Sequence, residues 1–140
     1  MKAFLVIPML IAVAYTQDTY AQDIKTKDVP QPVRHALLQK YPQATRVTWE
    51  KENGNFEANW GGRSGEDHSV QFSPAGSFVE EVDAMPVKDL PASIAGYVKT
   101  HYHTPIREAG KRIDATGRHT LEVEIKGKDL LFTPEGKFLQ

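Results

Sequence analysis

The stretch RSGEDHS, Arg63 to Ser69, brings hydroxyls, carboxylates and an imidazole together within one short run. Those are the side-chain types of a nucleophilic triad. A triad, however, needs its members to converge on one reacting atom from separate elements. Contiguous residues point apart, so the run reads as a solvated hairpin loop. His101 and His103 straddle Tyr102, and residues two apart on a helix do not share a face. A common metal ion there would require an unwound helix end. His35 and His119 are isolated. The chain has no cysteine, no Gly-rich phosphate loop and no H-E-x-x-H pair. No catalytic residue, metal centre or cofactor is expected, and the chain reads as a non-enzyme.

The elements that would have to position any site set the next limit. The chain has 140 residues, 40% of them hydrophobic, with 17 Lys and Arg against 18 Asp and Glu. That composition suits one folded domain, or two small units joined together. The formal net charge of −1 gives no general attraction to nucleic acid, so nucleic acid is not an expected partner. Residues 1–21 carry a basic Lys2, an apolar run from Ala3 to Tyr15 interrupted by Pro8, and small residues at Thr19 and Ala21. This is the layout of an export signal, and the run is shorter than the roughly 20 residues a membrane span needs. The mature chain is expected to comprise residues 22–140, without membrane insertion, in the periplasm or secreted. The absence of Cys excludes a disulfide staple and a cysteine-linked lipid anchor.

Internal similarity organises the rest. KDVPQPVRHALLQKY, Lys27 to Tyr41, matches KDLPASIAGYVKTHY, Lys88 to Tyr102, at an offset of 61 residues. In the first copy Val33, Ala36, Leu37 and Tyr41 form one apolar helical stripe; in the second, Ile94, Tyr97, Val98 and Tyr102 do. Each helix is expected to open at an Asp cap and a first-turn Pro, and to stop before Pro42 or Pro105. Beyond each helix the apolar period changes to two. Phe56, Ala58 and Trp60 alternate with Glu57 and Asn59; Leu121, Val123 and Ile125 alternate with Glu122 and Glu124. Asn53-Gly54 and Thr116-Gly117 read as hairpin turns.

The phrases FSPAGSF and FTPEGKF, from Phe72 and Phe132, read as turns in which Gly takes a positive φ between paired strands. The expected fold class is α+β: two tandem units of one helix and about four antiparallel strands, residues 27–82 and 88–140, sharing a core. A unit of that size is marginal alone.

The helix starts, the exit KYPQA leading into VTWEKENGNFEANW, and the F-x-P-x-G-x-F turns together resemble the PepSY-like proteins, also described as β-lactamase-inhibitor-like. The resemblance covers nearly all of the mature chain and implies a fold similar to the β-lactamase inhibitor protein, whose concave sheet faces an enzyme. It implies no catalytic residues, and a fold does not fix a function.

If the apolar strand positions face the helices, alternation turns Glu57, Asn59, Glu122 and Glu124 to the other face, with Gln71 and Leu131 beside them. No helix is left to cover that face. These six residues are the candidate partner-binding set, for a protein presenting a basic surface. Phe56, Trp60, Phe72 and Phe78 read as core. Trp49 has no counterpart in the second unit and joins the candidates as a surface aromatic. The expected function is a binding or inhibitor-like module docking a protein partner. The alternative is a small-molecule or lipid carrier using space between helices and sheet.

Overall fold

The structure is a computed structural model that describes residues 21–140; apart from Ala21, the expected signal segment lies outside the described residues. Its frame is one antiparallel sheet of eight strands whose spatial order is their sequence order. The edge strand β1 (Gln22–Ile24) precedes helix α1 (Gln31–Lys40). The strands β2 (Thr48–Glu52), β3 (Asn55–Trp60), β4 (His68–Phe72) and β5 (Phe78–Met85) follow. Helix α2 (Ala92–Tyr102) leads into β6 (Glu108–Asp114), β7 (His119–Ile125) and β8 (Lys128–Phe132).

Both helices start two residues later than an Asp cap would allow. Asp28 and Asp89 end short 3-10 turns, the N-caps are Pro30 and Pro91, and neither helix has a side-chain cap hydrogen bond. The cause is steric, because a residue before proline is driven out of the helical region. Val29 and Leu90 are accordingly extended, at ψ 133 and 147. The hairpin at Asn53-Gly54 has both residues at positive φ, 50 and 80, as a two-residue primed turn demands.

The two phrases fold alike. In the first, Ser73 N–H donates to Ser77 O at 2.8 Å and Gly76 N–H to Ser73 O at 2.9 Å; in the second, Thr133 N–H donates to Lys137 O and Gly136 N–H to Thr133 O, both at 2.8 Å. Gly76 and Gly136 take φ of +84 and +98, and Phe72 pairs with Phe78 as Phe132 bridges to Phe138.

Some expectations change. Four strands follow α1, but three follow α2, where the fourth is reduced to the Phe132–Phe138 bridge. The first unit, expected to end at residue 82, ends inside β5, which runs on to Met85. The core is not shared. Val29, Val33 and Leu37 pack with Trp49, Phe56, Ala58, Trp60, Val70 and Phe72. Ile94 and Val98 pack separately with Leu121, Val123, Ile125, Leu130 and Phe132. Cross-strand register runs from Ala58 through Val70, Glu81 and Ile113 to His119, which shares a face with Leu121, so both clusters lie on one side of the sheet. Between them that side carries Glu81, Asp83 and Lys111, whose charged groups favour water over a dry apolar junction. What joins the two clusters is the ladder between β5 and β6, from Glu80 opposite Asp114 to Met85 opposite Ala109.

Candidate functional site

Strand alternation sends every second residue to the face opposite α1 and α2. Glu50 stands opposite Glu57, Glu57 opposite Gln71, and Gln71 opposite Glu80 across β2 to β5. On the far side Glu108 stands opposite Glu124 and Glu124 opposite Asp129, with Glu122 opposite Leu131. The sheet curves around these rows and encloses an open trough of about 770 Å³. Six of the seven sequence candidates line it: Glu57, Asn59, Gln71, Glu122, Glu124 and Leu131.

The seventh does not. Trp49 is 4% exposed and packed in the first core cluster, because it sits opposite Ala58 and so turns toward α1. Trp49 is therefore a core residue, and its repeat-breaking position carried no information about exposure.

The trough is far more acidic than the composition of the chain. Nine of its lining residues are Asp or Glu, and Arg112 is its one basic lining residue among the described residues. Sequence reading missed Glu50, Glu52, Glu66, Glu80, Glu108, Asp129 and Arg112. The alternation of Glu50 and Glu52 around Lys51 was a usable signal; the position of Glu80 and Arg112 follows only from the β5–β6 register.

Arg112 donates from Nε to Glu80 Oε2 at 2.9 Å, and its Nε is 3.9 Å from Glu122 Oε2. Gln71 donates to Glu57 at 3.0 Å and Ser69 to Asn59 at 2.6 Å. Asn59 is buried beneath this network at 5% exposure and contributes less contact surface than its neighbours.

Packing like charges at the floor of a concave face disfavours ionisation. Burial pushes the Glu122 carboxyl up to about 8, with Asp129 and Glu80 adding to the shift and Arg112 opposing it. Burial also raises Asp129, with Glu80 adding, and raises Glu124, with Glu108 adding. Glu50 and Glu52 are raised by burial and then by Glu57.

A raised carboxyl has a definite sign in stability. The folded chain keeps a proton that the unfolded chain has lost, so the contribution is complete below about 4.5, declines as pH rises, and is gone above about 8. For Glu122, with a quarter of its side chain still exposed to water, we expect a loss of about 2 kcal/mol across that window. Urea unfolding at pH 5, 7 and 8.5 measures it. The Glu122→Gln variant should show a flatter profile; equal slopes in the two proteins would remove Glu122 as the cause.

Elsewhere the sequence motifs separate. His68 faces the helix side and pairs with Asp83 Oδ1 at 2.7 Å, while Ser69 faces the trough; the RSGEDHS run is split between two faces. His101 folds back onto its own helix, with Nδ1 2.9 Å from Tyr97 O and its ring stacked on Tyr97. His103 is the left-handed C-cap of α2. An apolar hollow of about 590 Å³ lies beside α2, lined by residues including Val87, Val98, Pro105 and Ile106. Among the described residues no helix is long and apolar enough to cross a membrane.

No family profile matches the chain, and no curated protein matches it in sequence. Solved structures do. A candidate periplasmic protein from Bacteroides eggerthii DSM 20697 superposes with a TM-score of 0.61 at 20% identity, over 80% of this chain and 86% of that one. A DUF2874 family protein from Bacteroides uniformis ATCC 8492 gives 0.61 at 19% identity, over 79% and 86%. A BLIP-like protein from Bacteroides fragilis NCTC 9343 gives 0.54 at 18% identity, over 79% and 84%. At such identities the likeness concerns the fold, which is α+β with an open antiparallel sheet and two helices.

Proposed function

We propose that the chain is an exported, non-enzymatic binding module that docks a basic protein surface in the acidic trough of its sheet. The observation that carries this reading is the segregation of charge: a chain of net charge −1 gathers nine carboxylates around one arginine on a single concave face. Such a face attracts a cationic partner and repels an acidic one. The BLIP-like neighbour supports the inhibitor-like part of the reading through its fold. The PepSY-like affiliation and the division into tandem units at residues 27–82 and 88–140 rest on the motifs and their order.

The test is charge reversal. Glu57→Lys, Glu122→Lys and Glu124→Lys are combined in a protein shown by circular dichroism to be folded. Wild type should capture its partner from envelope extract and release it as salt rises, and the variant should capture none. Equal capture at low salt would remove the trough as the docking face. Recovery of a lipid or small molecule with the purified protein in native mass spectrometry would instead favour a carrier using the hollow beside α2.

Periplasmic location is our reading from the residues 1–21 and is supported by the candidate periplasmic neighbour. N-terminal sequencing of the exported protein should begin at Gln22; a mature start elsewhere than near Gln22 would contradict it.

A further inference from the structure

Removal of residues 1–21, the export step expected from the sequence, makes Gln22 the first residue of the chain. A glutamine in that place carries a carboxamide that reaches its own α-amine in an unstrained five-membered ring. The fold decides where that end lies and what surrounds it. Gln22 opens the edge strand β1, is exposed, and has a neighbouring strand on one side only, where it stands opposite Lys51 of β2. Lys51 in turn stands opposite Phe56, so Gln22 belongs to the helix side of the sheet, while Asp23, opposite Glu50, belongs to the trough side. Ala21, whose carbonyl the new amine leaves behind, lines the trough together with Glu50 and Glu52. Processing therefore frees an α-amine at the rim of the acidic face, where Arg112 is the one basic lining residue among the described residues.

We infer that Gln22 is a modification site: in the exported protein it closes to an N-terminal pyroglutamate, and the rim of the trough loses the ammonium that processing put there. The inference rests on the export reading above and is independent of what docks in the trough. The step needs no co-reactant. The lone pair of the neutral α-amine attacks Cδ of the Gln22 side chain, and an N–Cδ bond forms. The bond from Cδ to the side-chain nitrogen breaks, and that nitrogen leaves as ammonia, carrying the proton that the attacking amine gives up. An α-amine titrates at about 7.7–8.0, so a neutral, reactive fraction on the order of a tenth is present at pH 7. Carboxylates nearby favour the charged form, which slows the closure without abolishing that fraction. Holding amine and amide in one residue gives the reaction a high effective concentration. The fold does not oppose the product: the lactam keeps one N–H and the backbone carbonyl, and Gln22 is exposed at the sheet edge. Capping a terminus in this way removes its charge, so Arg112 stays the one cation among the described residues lining the trough.

The test is mass spectrometry on the full chain, exported with its own leader by a Gram-negative host and held at neutral pH. The intact mass should be that of residues 22–140 less one ammonia, and fragmentation of the first peptide should place the loss on Gln22. A blocked amine is silent in stepwise chemical degradation, so the start at Gln22 is read by mass, or after a pyroglutamyl aminopeptidase has exposed Asp23. Gln22→Ala should keep its full mass and an amine that an acylating reagent labels. A chain that starts at Gln22 and keeps its free amine overturns the inference and leaves the export reading intact. A start at another residue overturns the inference, and a start far from Gln22 overturns the export reading as well. Loss of ammonia that maps to Asn53-Gly54, where the backbone nitrogen of Gly54 can close on the Asn53 carboxamide, with Gln22 intact, also overturns it.

Discussion

Phe132→Ala lowers the melting temperature by about 15 °C, and the loss is seen equally by tryptophan fluorescence and by circular dichroism. Phe132 is fully buried in the second cluster, edge-on to Tyr97 and Phe138 with ring centroids 5.7 and 5.6 Å away. Truncating such a ring removes its burial and leaves a cavity, a loss of about 4 kcal/mol, which in a domain of this size corresponds to several degrees per kcal/mol. The two tryptophans, Trp49 and Trp60, both lie in the first cluster. Their fluorescence therefore reports a part of the molecule that Phe132 does not touch. Coincident transitions mean that the ladder from Glu80–Asp114 to Met85–Ala109 transmits the loss and the sheet melts as one body. If tryptophan fluorescence keeps the wild-type midpoint while circular dichroism shows an earlier step, the halves unfold independently.

That ladder was the least legible part of the sequence. The helices and the strands carrying Phe56, Ala58 and Trp60, and Leu121, Val123 and Ile125, could be read because one face of each is apolar and the period reports which. β5 and β6 carry no such signal. Glu80, Glu81, Asp83, Lys111 and Arg112 give neither face an apolar row, since neither α1 nor α2 packs on that stretch. The missing row is also why a shared core was expected: sequence shows apolar positions but not the polar seam between them. The same blindness hid most of the trough. Glu57, Glu122 and Glu124 were found by alternation against buried neighbours, whereas Glu80, Asp129 and Arg112 join them only through register between strands. Trp49 misled for the opposite reason. Its strand is short, and the buried contact that fixes its orientation is Ala58 across the ladder.

The repeated phrase contained more than a turn. Gly76→Ala should destabilise the protein by about 3 kcal/mol or more, well beyond the effect of the same substitution at Gly117. Both glycines have nearly the same backbone, φ +84 and +81, and a side chain at such angles is strained by about 1–2 kcal/mol wherever it occurs. Their surroundings differ. A Cβ on Gly117 meets nothing within 4 Å, while a Cβ on Gly76 would lie 2.6 Å from Pro32 O and 2.9 Å from Pro32 C. Those are backbone atoms in the first turn of α1, so relief requires moving the turn away from the helix that covers Trp49 and Phe72. Gly136 is placed likewise, 3.0 Å from Pro91 Cβ, but its nearest contact is the Ser93 hydroxyl at 2.4 Å, which can rotate. Gly136→Ala should therefore fall between the other two. The recurrence of Pro and Gly in FSPAGSF and FTPEGKF thus has two causes: the turn needs a positive φ, and the turn is pressed against the start of its own helix. Urea unfolding of the three single variants separates these causes, because Gly117→Ala reads backbone strain alone. A Gly76→Ala loss no larger than that of Gly117→Ala would show that the helix start gives way freely and that turn chemistry alone preserves the phrase.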